Sequence, residues 1–247
     1  MTGCSTTQFL FFPATGYLRT PTEIGIKYLP VSHQAADGTS LKSWYLPATG
    51  NTQGIVYFLH GNAQNISTHI ASVYWLPAAG YDVFLLDYRG FGRSAGVAKI
   101  PAVFEDIESG FRWIQDHNPE QLSVFILAQS LGASLAVPFA ARADIRPYIN
   151  GLVIDAAFAS YRDITRNTFA QHWLTWLFQY PAAWLISNPY DPIDYINKIA
   201  PTPLLIFHSP ADRVIPYSNA DKLLQQANEP KYFFEAKGQH IITPMHV

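Results

Sequence analysis

A serine stands directly between a strand-like run and a helix-like run of small residues. Residues 124–127 read Val-Phe-Ile-Leu, which predicts a buried strand, and a helix is predicted to begin at Leu131. A turn this tight lifts the Ser130 hydroxyl above a sheet edge, where it can attack a carbonyl carbon. The strained backbone needs small residues two positions to either side; Gly132 provides one, and Ala128 adds a methyl group at the other. The pattern predicts that Ser130 is a nucleophile, and the alternative is an ordinary buried serine at a strand–helix junction.

A serine hydroxyl is a weak nucleophile until a base takes its proton and an acid orients that base. The histidines downstream of Ser130 are His172, His208, His240 and His246. His240 is the predicted base because it follows the last predicted strand by a few residues, where a loop can lean back over the strand ends. His208 ends a predicted strand and is expected to be structural.

Two aspartates could orient this base. Asp212 lies in the loop after the fifth predicted strand, whereas Asp155 ends the fourth. Both give the order serine, acid, histidine that is usual when the serine opens a helix. The strand position and the adjacent Val-Ile-Pro favour Asp212, which is the predicted acid, with Asp155 as the alternative.

Backbone amides must stabilise the charge that develops on the attacked carbonyl oxygen. Leu131 directly follows the serine and is predicted to supply one N–H. The second is expected from the loop after the first parallel strand, where Gly61 permits a tight turn and Asn62 offers its N–H. His60 precedes Ser130 and follows a strand directly, so we expect it to make an orienting hydrogen bond within this loop.

Short β-rich apolar runs alternate with helix-length segments along the chain. This order is typical of an α/β fold with a mostly parallel sheet flanked by helices. Two less regular pieces, at 24–29 and 41–46, are separated by Asp37-Gly38 and predict an antiparallel hairpin at the sheet edge. The predicted strands are 55–59, 83–87, 124–127, 152–155, 204–207 and 231–235, and the predicted helices are 66–79, one opening at Pro101, 131–142 and 219–227.

One irregular insertion, at about 156–202, predicts a small helical cap on a single domain that spans 12–247, after an N-terminal tail at 1–11. Residues 167–190 contain no Asp, Glu, Lys or Arg, but polar residues and a proline interrupt them, so short amphipathic helices are predicted rather than a membrane span. The aromatic residues of this insertion either cover the sheet edge or line an acyl pocket. The predicted pocket residues are Trp173, Trp176, Phe178 and Trp184.

Composition and charge limit the partners. Hydrophobic residues make up 49% of the chain and charged residues 14%, with a net charge of −2, so we expect a large core and no nucleic-acid partner. The sequence has no HExxH and no phosphate loop. Residues 90–95 match a dinucleotide fingerprint only formally, because no helix begins there. No metal or cofactor is predicted, and the expected partner is a small ester or thioester substrate.

The single cysteine, Cys4, excludes an intrachain disulfide. The start Met-Thr-Gly-Cys is similar to the end of a bacterial lipoprotein signal, in which a small residue and Gly precede the cysteine that is lipidated. On that interpretation the protein is a periplasmic or membrane-anchored lipoprotein. The alternative is an ordinary start codon, which predicts a cytoplasmic protein.

Taken together, the segments with chemical character resemble one family. They are His60 to Ala63, Asp87 to Ser94, Gln129 to Gly132, His208 to Pro216 and Gly238 to His240. This set is similar to the Bem46-like branch of the α/β-hydrolase superfamily, over about 12–240. The resemblance implies the α/β-hydrolase fold, the triad of Ser130, Asp212 and His240, and cleavage of a carboxylic ester or thioester of an apolar acyl group through an acyl-enzyme. The alternatives are an acyl-protein or lipid thioesterase, and a non-catalytic ligand-binding member of the fold.

Overall fold

A computed structural model describes residues 7–170, 180 and 189–241. Several predictions fall outside these residues. They concern the lipidation site Cys4, the cap histidine and C-terminal histidine at 172 and 246, and the four predicted pocket residues, Trp173, Trp176, Phe178 and Trp184. The division into a tail, a single domain and a cap at 156–202 also stays a prediction. Among the described residues, no helix is long and apolar enough to cross a membrane.

A mostly parallel sheet of eight strands runs through the described part of the chain. Its order is β10-β9-β8-β7-β4-β6-β3-β2, and all pairings except β2 with β3 and β3 with β6 are parallel. This confirms the predicted sheet. The strands are β2 (Leu29–Gln34), β3 (Ser40–Leu46), β4 (Gly54–Leu59), β6 (Tyr81–Asp87), β7 (Val124–Gln129), β8 (Gly151–Asp155), β9 (Leu204–His208) and β10 (Lys231–Glu235), and the two short strands β1 (Phe12–Pro13) and β5 (Ala63–Gln64) pair separately in parallel.

The antiparallel hairpin is confirmed at the sheet edge, but its first strand was predicted too early. Ile24 belongs to a 3-10 turn at Pro21–Ile24, which Gly25 ends with a φ of 78°. Thr20 and Glu23 form a capping box around this turn, a local hydrogen-bonding alternative to a strand. Strand β2 therefore begins only at Leu29 and pairs with β3 across the predicted turn.

Helices cover the sheet, with one of them shorter than predicted. The helices are α1 (Ile66–His69), α2 (Ala102–Asp116), α3 (Leu131–Ala140), α4 (Tyr161–Ala170) and α5 (Ser218–Gln226). The prediction of a helix over 66–79 is wrong: after α1 the chain makes a 3-10 turn at Ile70–Ser72 and then a series of turns. Val73, Tyr74 and Trp75 have low helix propensity, and Pro77 disfavours helical backbone at the residue before it.

The two faces of the sheet are buried to different extents. Helices α2 and α3 cover one face, against fully buried residues such as Ile126 and Ile154. The segment around α1 covers the other face only over β4 and β6, where Ile66 packs with Phe58. Over β7 to β9 that second face carries an apolar groove of about 350 Å³. The groove is lined by Val56, Trp75, Phe125, Leu127, Val153, Leu205 and Phe207, with Asp155 as the charged residue among them.

Candidate active site

Ser130 occupies a strained turn between β7 and α3. Its φ of 54° and ψ of −121° are unusual for a residue with a side chain, and its N–H donates to the carbonyl of Asp155 at 2.8 Å. A Cβ at Gly132 would lie 2.3 Å from the His60 carbonyl oxygen, so glycine is required there. Ala128 is fully buried with its methyl group accommodated. The serine therefore sits on the tight turn that the sequence predicts.

His240 contacts both the serine and the predicted acid. Its Nε2 lies 3.0 Å from Ser130 Oγ, and its Nδ1 lies 2.7 Å from Asp212 Oδ2. A carboxylate can only accept, so Nδ1 carries the proton and donates a hydrogen bond to Asp212. The Nε2 atom is then free to accept from the serine hydroxyl. This is the hydrogen-bond order that a base-activated serine needs.

The loop after β9 holds Asp212 in its charged form. Its Oδ1 accepts from the N–H groups of Val214 and Ile215, at 2.8 and 2.9 Å, while Oδ2 faces His240. Burial alone would raise the pKa of Asp212, but the hydrogen bonds from His240 and from these two amides outweigh it, and the pKa lies below its usual value. The structure thus supplies the histidine with an ionised partner.

Asp155, the alternative acid, makes different contacts. Its Oδ2 accepts from the Gln129 side chain at 3.0 Å, and no hydrogen bond joins it to His240 in the described part of the chain. Burial raises the pKa of Asp155 to about 6. Of the two candidate acids, the structure brings only Asp212 into hydrogen-bond contact with the histidine.

The two candidate oxyanion donors lie at the start of α3 and in the loop after β4. Leu131 is the first residue of α3, so its N–H has no partner within the helix. The loop after β4, which contains Gly61 and Asn62, also approaches the serine closely, since a Cβ built at Gly61 would lie 3.5 Å from Ser130 Cβ. The peptide that carries the Asn62 N–H is fixed through its carbonyl, because His60 Nδ1 donates to Gly61 O at 2.8 Å, and Phe12 N–H holds the next carbonyl, that of Asn62, at 2.7 Å.

Sequence reasoning missed the elements that hold this loop. Strand β1 pairs with β5 immediately after Asn62, and Asn65 donates through its side chain to Ala14 O and Gly16 O, at 3.0 and 2.6 Å. A strand of two residues gives no periodic signal. Asn65 was detectable as the N-cap of α1, since asparagine is favoured at that place and its side chain accepts from Ser67 N–H.

Three further histidines surround the site without contacting the serine by a hydrogen bond. His60 is fully buried and its Nδ1 lies 2.8 Å from Gly61 O, which is the orienting contact expected in this loop. His69 Nε2 donates to Ala63 O at 3.0 Å, and burial, assisted by His60, lowers the pKa of His69 to about 3. His208 Nε2 donates to Ile215 O at 2.9 Å and so supports the loop of Asp212. Among the described residues, no His, Cys, Asp or Glu cluster could hold a metal ion.

The sheet order and the strand–serine–helix turn define an α/β hydrolase, and solved structures of that class share the fold. A Pyrococcus furiosus esterase, Pf2001, superposes with a TM-score of 0.78 at 19% identity, covering 94% of this chain and 90% of that one. An esterase domain of a Rhodothermus marinus protein gives a TM-score of 0.65 at 18% identity, covering 89% of this chain and 92% of that one. At these identities the likeness shows the fold alone.

Sequence comparison gives the family. The family model described as serine aminopeptidase, S33, matches residues 50–200. The uncharacterized protein YfhR of Escherichia coli K12 is 34% identical over 219 residues, which cover 85% of this chain and 72% of that protein. The lysophosphatidylserine lipase ABHD12 of Mus musculus is 28% identical over 214 residues, which cover 82% of this chain and 52% of that protein. The chain belongs to the S33 family of α/β hydrolases, so the predicted superfamily is confirmed, and its Bem46-like branch stays a prediction.

Proposed function

We propose that this hydrolase is a serine esterase that cleaves uncharged carboxylic esters or thioesters of apolar acyl groups through an acyl-enzyme. One observation carries the proposal: His240 bridges Ser130 Oγ and Asp212 Oδ2 with hydrogen-bond distances on both sides. Nothing else in such a triad is needed to turn a serine hydroxyl into a nucleophile.

In the first half-reaction His240 Nε2 takes the Ser130 proton as Oγ attacks the acyl carbon. The imidazolium that forms is stabilised by Asp212, which also holds Nδ1 protonated throughout. The same proton then passes to the leaving alcohol or thiol, and the acyl group stays on Oγ. In the second half-reaction water replaces the alcohol, and the proton transfers run through the same nitrogen until the free acid leaves.

The amides of Leu131 and Asn62 are the proposed donors to the oxyanion of each tetrahedral intermediate. Both belong to peptides that the fold holds in place: the Ser130 carbonyl accepts from Ser134 N–H in α3 at 3.1 Å, and the Gly61 carbonyl accepts from His60 Nδ1 at 2.8 Å. Donors fixed in advance need no reorganisation when negative charge develops, which is why such sites favour the transition state over the substrate.

The proposed substrate class rests on the absence of charged residues from the middle of the insertion. Residues 167–190 carry no Asp, Glu, Lys or Arg, and a pocket of that composition suits an apolar acyl chain. The 28% identical relative is described as a lysophosphatidylserine lipase, which supports an apolar acyl group on the ester that is cleaved. Thioesters use the same attack on the acyl carbon and belong to the same proposal.

A fluorophosphonate probe tests the nucleophile. We expect the probe to label the wild-type protein, and we expect labelling to disappear in Ser130→Ala while the circular dichroism spectrum is unchanged. Ser134→Ala is the matched control, because this second serine lies one turn into α3 and bonds to Phe158 instead of to a base. Labelling that survives in Ser130→Ala would overturn the assignment.

A panel of p-nitrophenyl esters from acetyl to palmitoyl, with the matching thioesters, tests the substrate class. Turnover that rises with acyl length before falling is expected for an apolar pocket of limited size. A folded wild-type protein that is labelled by the probe yet turns over none of the panel would contradict the proposed substrate class. Absence of both labelling and turnover would favour a non-catalytic binding protein.

A further inference from the structure

A buried glutamine joins the serine turn to the histidine loop. Gln129 directly precedes Ser130, is fully buried, and points its Nε2 at two acceptors. These are Asp155 Oδ2, at 3.0 Å, and the main-chain carbonyl of Ile241, at 3.4 Å. Ile241 is the residue after His240. The side chain next to the nucleophile therefore contacts the peptide next to the base.

The chemistry of the two acceptors fixes how the amide is oriented. A carboxylate and a carbonyl both accept, so both must face the NH₂ group of Gln129 rather than its oxygen. The Gln129 oxygen has no hydrogen-bond partner among the described residues. Leu127, the previous residue on this face of β7, lines the apolar groove. An apolar side chain would pack at this place without burying an unpaired oxygen. What the amide adds is therefore its two N–H donors.

Asp155 accepts hydrogen bonds from both Ser130 and Gln129. Its carbonyl accepts the Ser130 N–H at 2.8 Å, and its carboxylate accepts Gln129, its register neighbour on β7. The Asp155 carbonyl thus fixes the main chain of the nucleophile, and the Asp155 carboxylate holds Gln129, which contacts the His240 loop. Ile241 has a φ of 53°, a value that residues with side chains adopt only when surrounding contacts hold them.

We propose that Gln129 and Asp155 form a clamp that positions the His240 loop against Ser130. The clamp rests on the proposed function, since it acts on the separation of the two reacting groups. Gln129 and Asp155 do not touch the substrate carbonyl and are positioning residues. A loop released from the clamp would still carry the histidine, but Nε2 would spend less time within hydrogen-bond reach of Oγ, and displacements of about 1 Å in such a couple can cost about a hundred-fold in rate.

Gln129→Leu tests the clamp, because leucine fills a similar volume and has no donor. We expect kcat on a p-nitrophenyl ester to fall about ten-fold to a hundred-fold, with KM changed less than about two-fold, because only the transition-state geometry is affected. Gln115→Leu, on the exposed side of α2, is the matched control and is expected to retain wild-type kcat. A wild-type kcat in folded Gln129→Leu, or a loss confined to KM, would overturn the clamp.

Asp155 gives a second, independent test. Asp155→Asn keeps an acceptor at this place and is expected to lose less kcat than Asp155→Leu. The double variant Gln129→Leu/Asp155→Leu is expected to lose no more than the worse single variant, because residues that act as one unit are not additive. Additive losses of kcat would overturn the clamp. If Gln129→Leu does not fold, Gln129→Glu replaces it, because this variant places a second carboxylate against Asp155. The same loss of kcat is expected.

Two readouts separate failure of the clamp from failure of the proposed function. The first is the rate of fluorophosphonate labelling, which must be high in the wild type if Ser130 is activated at all. If the wild type is labelled and Gln129→Leu is labelled at the same rate, the clamp is contradicted while the proposed function stands. The second is the low-field proton resonance of the His240 Nδ1–H, which needs no turnover: we expect it to broaden in Gln129→Leu, and an unchanged resonance would contradict the clamp.

Discussion

The Nε2 atom of His240 lies 3.0 Å from Ser130 Oγ, although 110 residues separate the two along the chain. The sheet makes this possible. Strands β7, β9 and β10 run parallel, so the loops that leave their carboxyl ends meet at one edge. Each loop contributes one group to the hydrogen-bonded triad.

Replacing Asp212, the proposed orienting acid, should impair the chemical step. Asp212→Asn is expected to lower kcat about 10⁴-fold, because an amide no longer selects the tautomer with a free Nε2. Steady-state kinetics on a p-nitrophenyl ester measures the effect. Asp144→Asn, on the surface, is the control and should leave kcat unchanged. A loss below ten-fold in Asp212→Asn would transfer the role of the acid to another residue.

The proposed oxyanion donor in the loop after β4, the Asn62 N–H, can be removed without changing charge. Asn62→Pro deletes the N–H at that position and is expected to lower kcat about 10²-fold to 10³-fold. Asn62→Ala keeps the N–H and should lose far less. Equal losses in the two variants would mean that the side chain of Asn62, and not its main-chain N–H, supports activity.

The two small residues that flank the serine are expected to differ in their tolerance of change. A Cβ at residue 132 would lie 2.3 and 2.4 Å from the carbonyl oxygens of His60 and Leu59, and main-chain atoms cannot move aside easily. Gly132→Ala should therefore lower the free energy of unfolding by about 3 kcal/mol. Ala128→Gly removes a buried methyl group and raises the conformational entropy of the unfolded chain. We therefore expect the free energy of unfolding, measured by urea titration, to fall by about 1 kcal/mol. Similar losses of unfolding free energy in the two variants would show that the turn at Ser130 relaxes around the added methyl group.

A half-buried histidine on β2, His33, should make the fold sensitive to acid. Burial, with a smaller contribution from Lys42, lowers the pKa of His33 to about 4, where its ring contacts Ser109 and Ser43. In the unfolded chain the pKa is about 6.5. Between these values only the unfolded state binds the proton, so stability is present above about pH 6.5 and is lost as the pH falls towards about 4.

Urea titrations at about pH 7.5 and about pH 5 measure this contribution. The loss of unfolding free energy between the two conditions should be smaller in His33→Asn than in the wild type by up to about 2 kcal/mol. Asp106 and Asp155, whose pKa values burial raises to about 6, act in the opposite direction, but they are common to both proteins. His117→Asn, at an exposed position, is the control. An equal loss in all three proteins would rule out His33 as the cause.

The features that sequence reasoning anticipated are those with a local signal. Each parallel strand is a short apolar run, and Ser130 is marked by the change from β-rich to small residues around it. Asp212 and His240 were found because their place after particular strands follows from the chain order. The structure brings these three together, while the aromatic pocket residues lie outside the part that it describes.

What sequence reasoning missed depends on contacts between distant segments. The pairing of β1 with β5 joins residues about fifty apart and involves only two positions on each strand. The contact of Gln129 with Ile241 spans 112 residues, and a glutamine beside a serine gives no sign of its partner. The early end of α1 at His69 had little local sign, because Pro77 lies eight residues further along the chain.

The place of β10 at the sheet edge has a consequence for biosynthesis. Among the described residues it is the last strand to leave the ribosome, and His240 follows it. A nascent chain can therefore complete the serine turn between β7 and α3 long before any base is available to activate it. On the proposed mechanism, hydrolysis begins only when the final strand has joined β9, so the appearance of activity during synthesis would mark the moment at which this edge of the sheet is assembled.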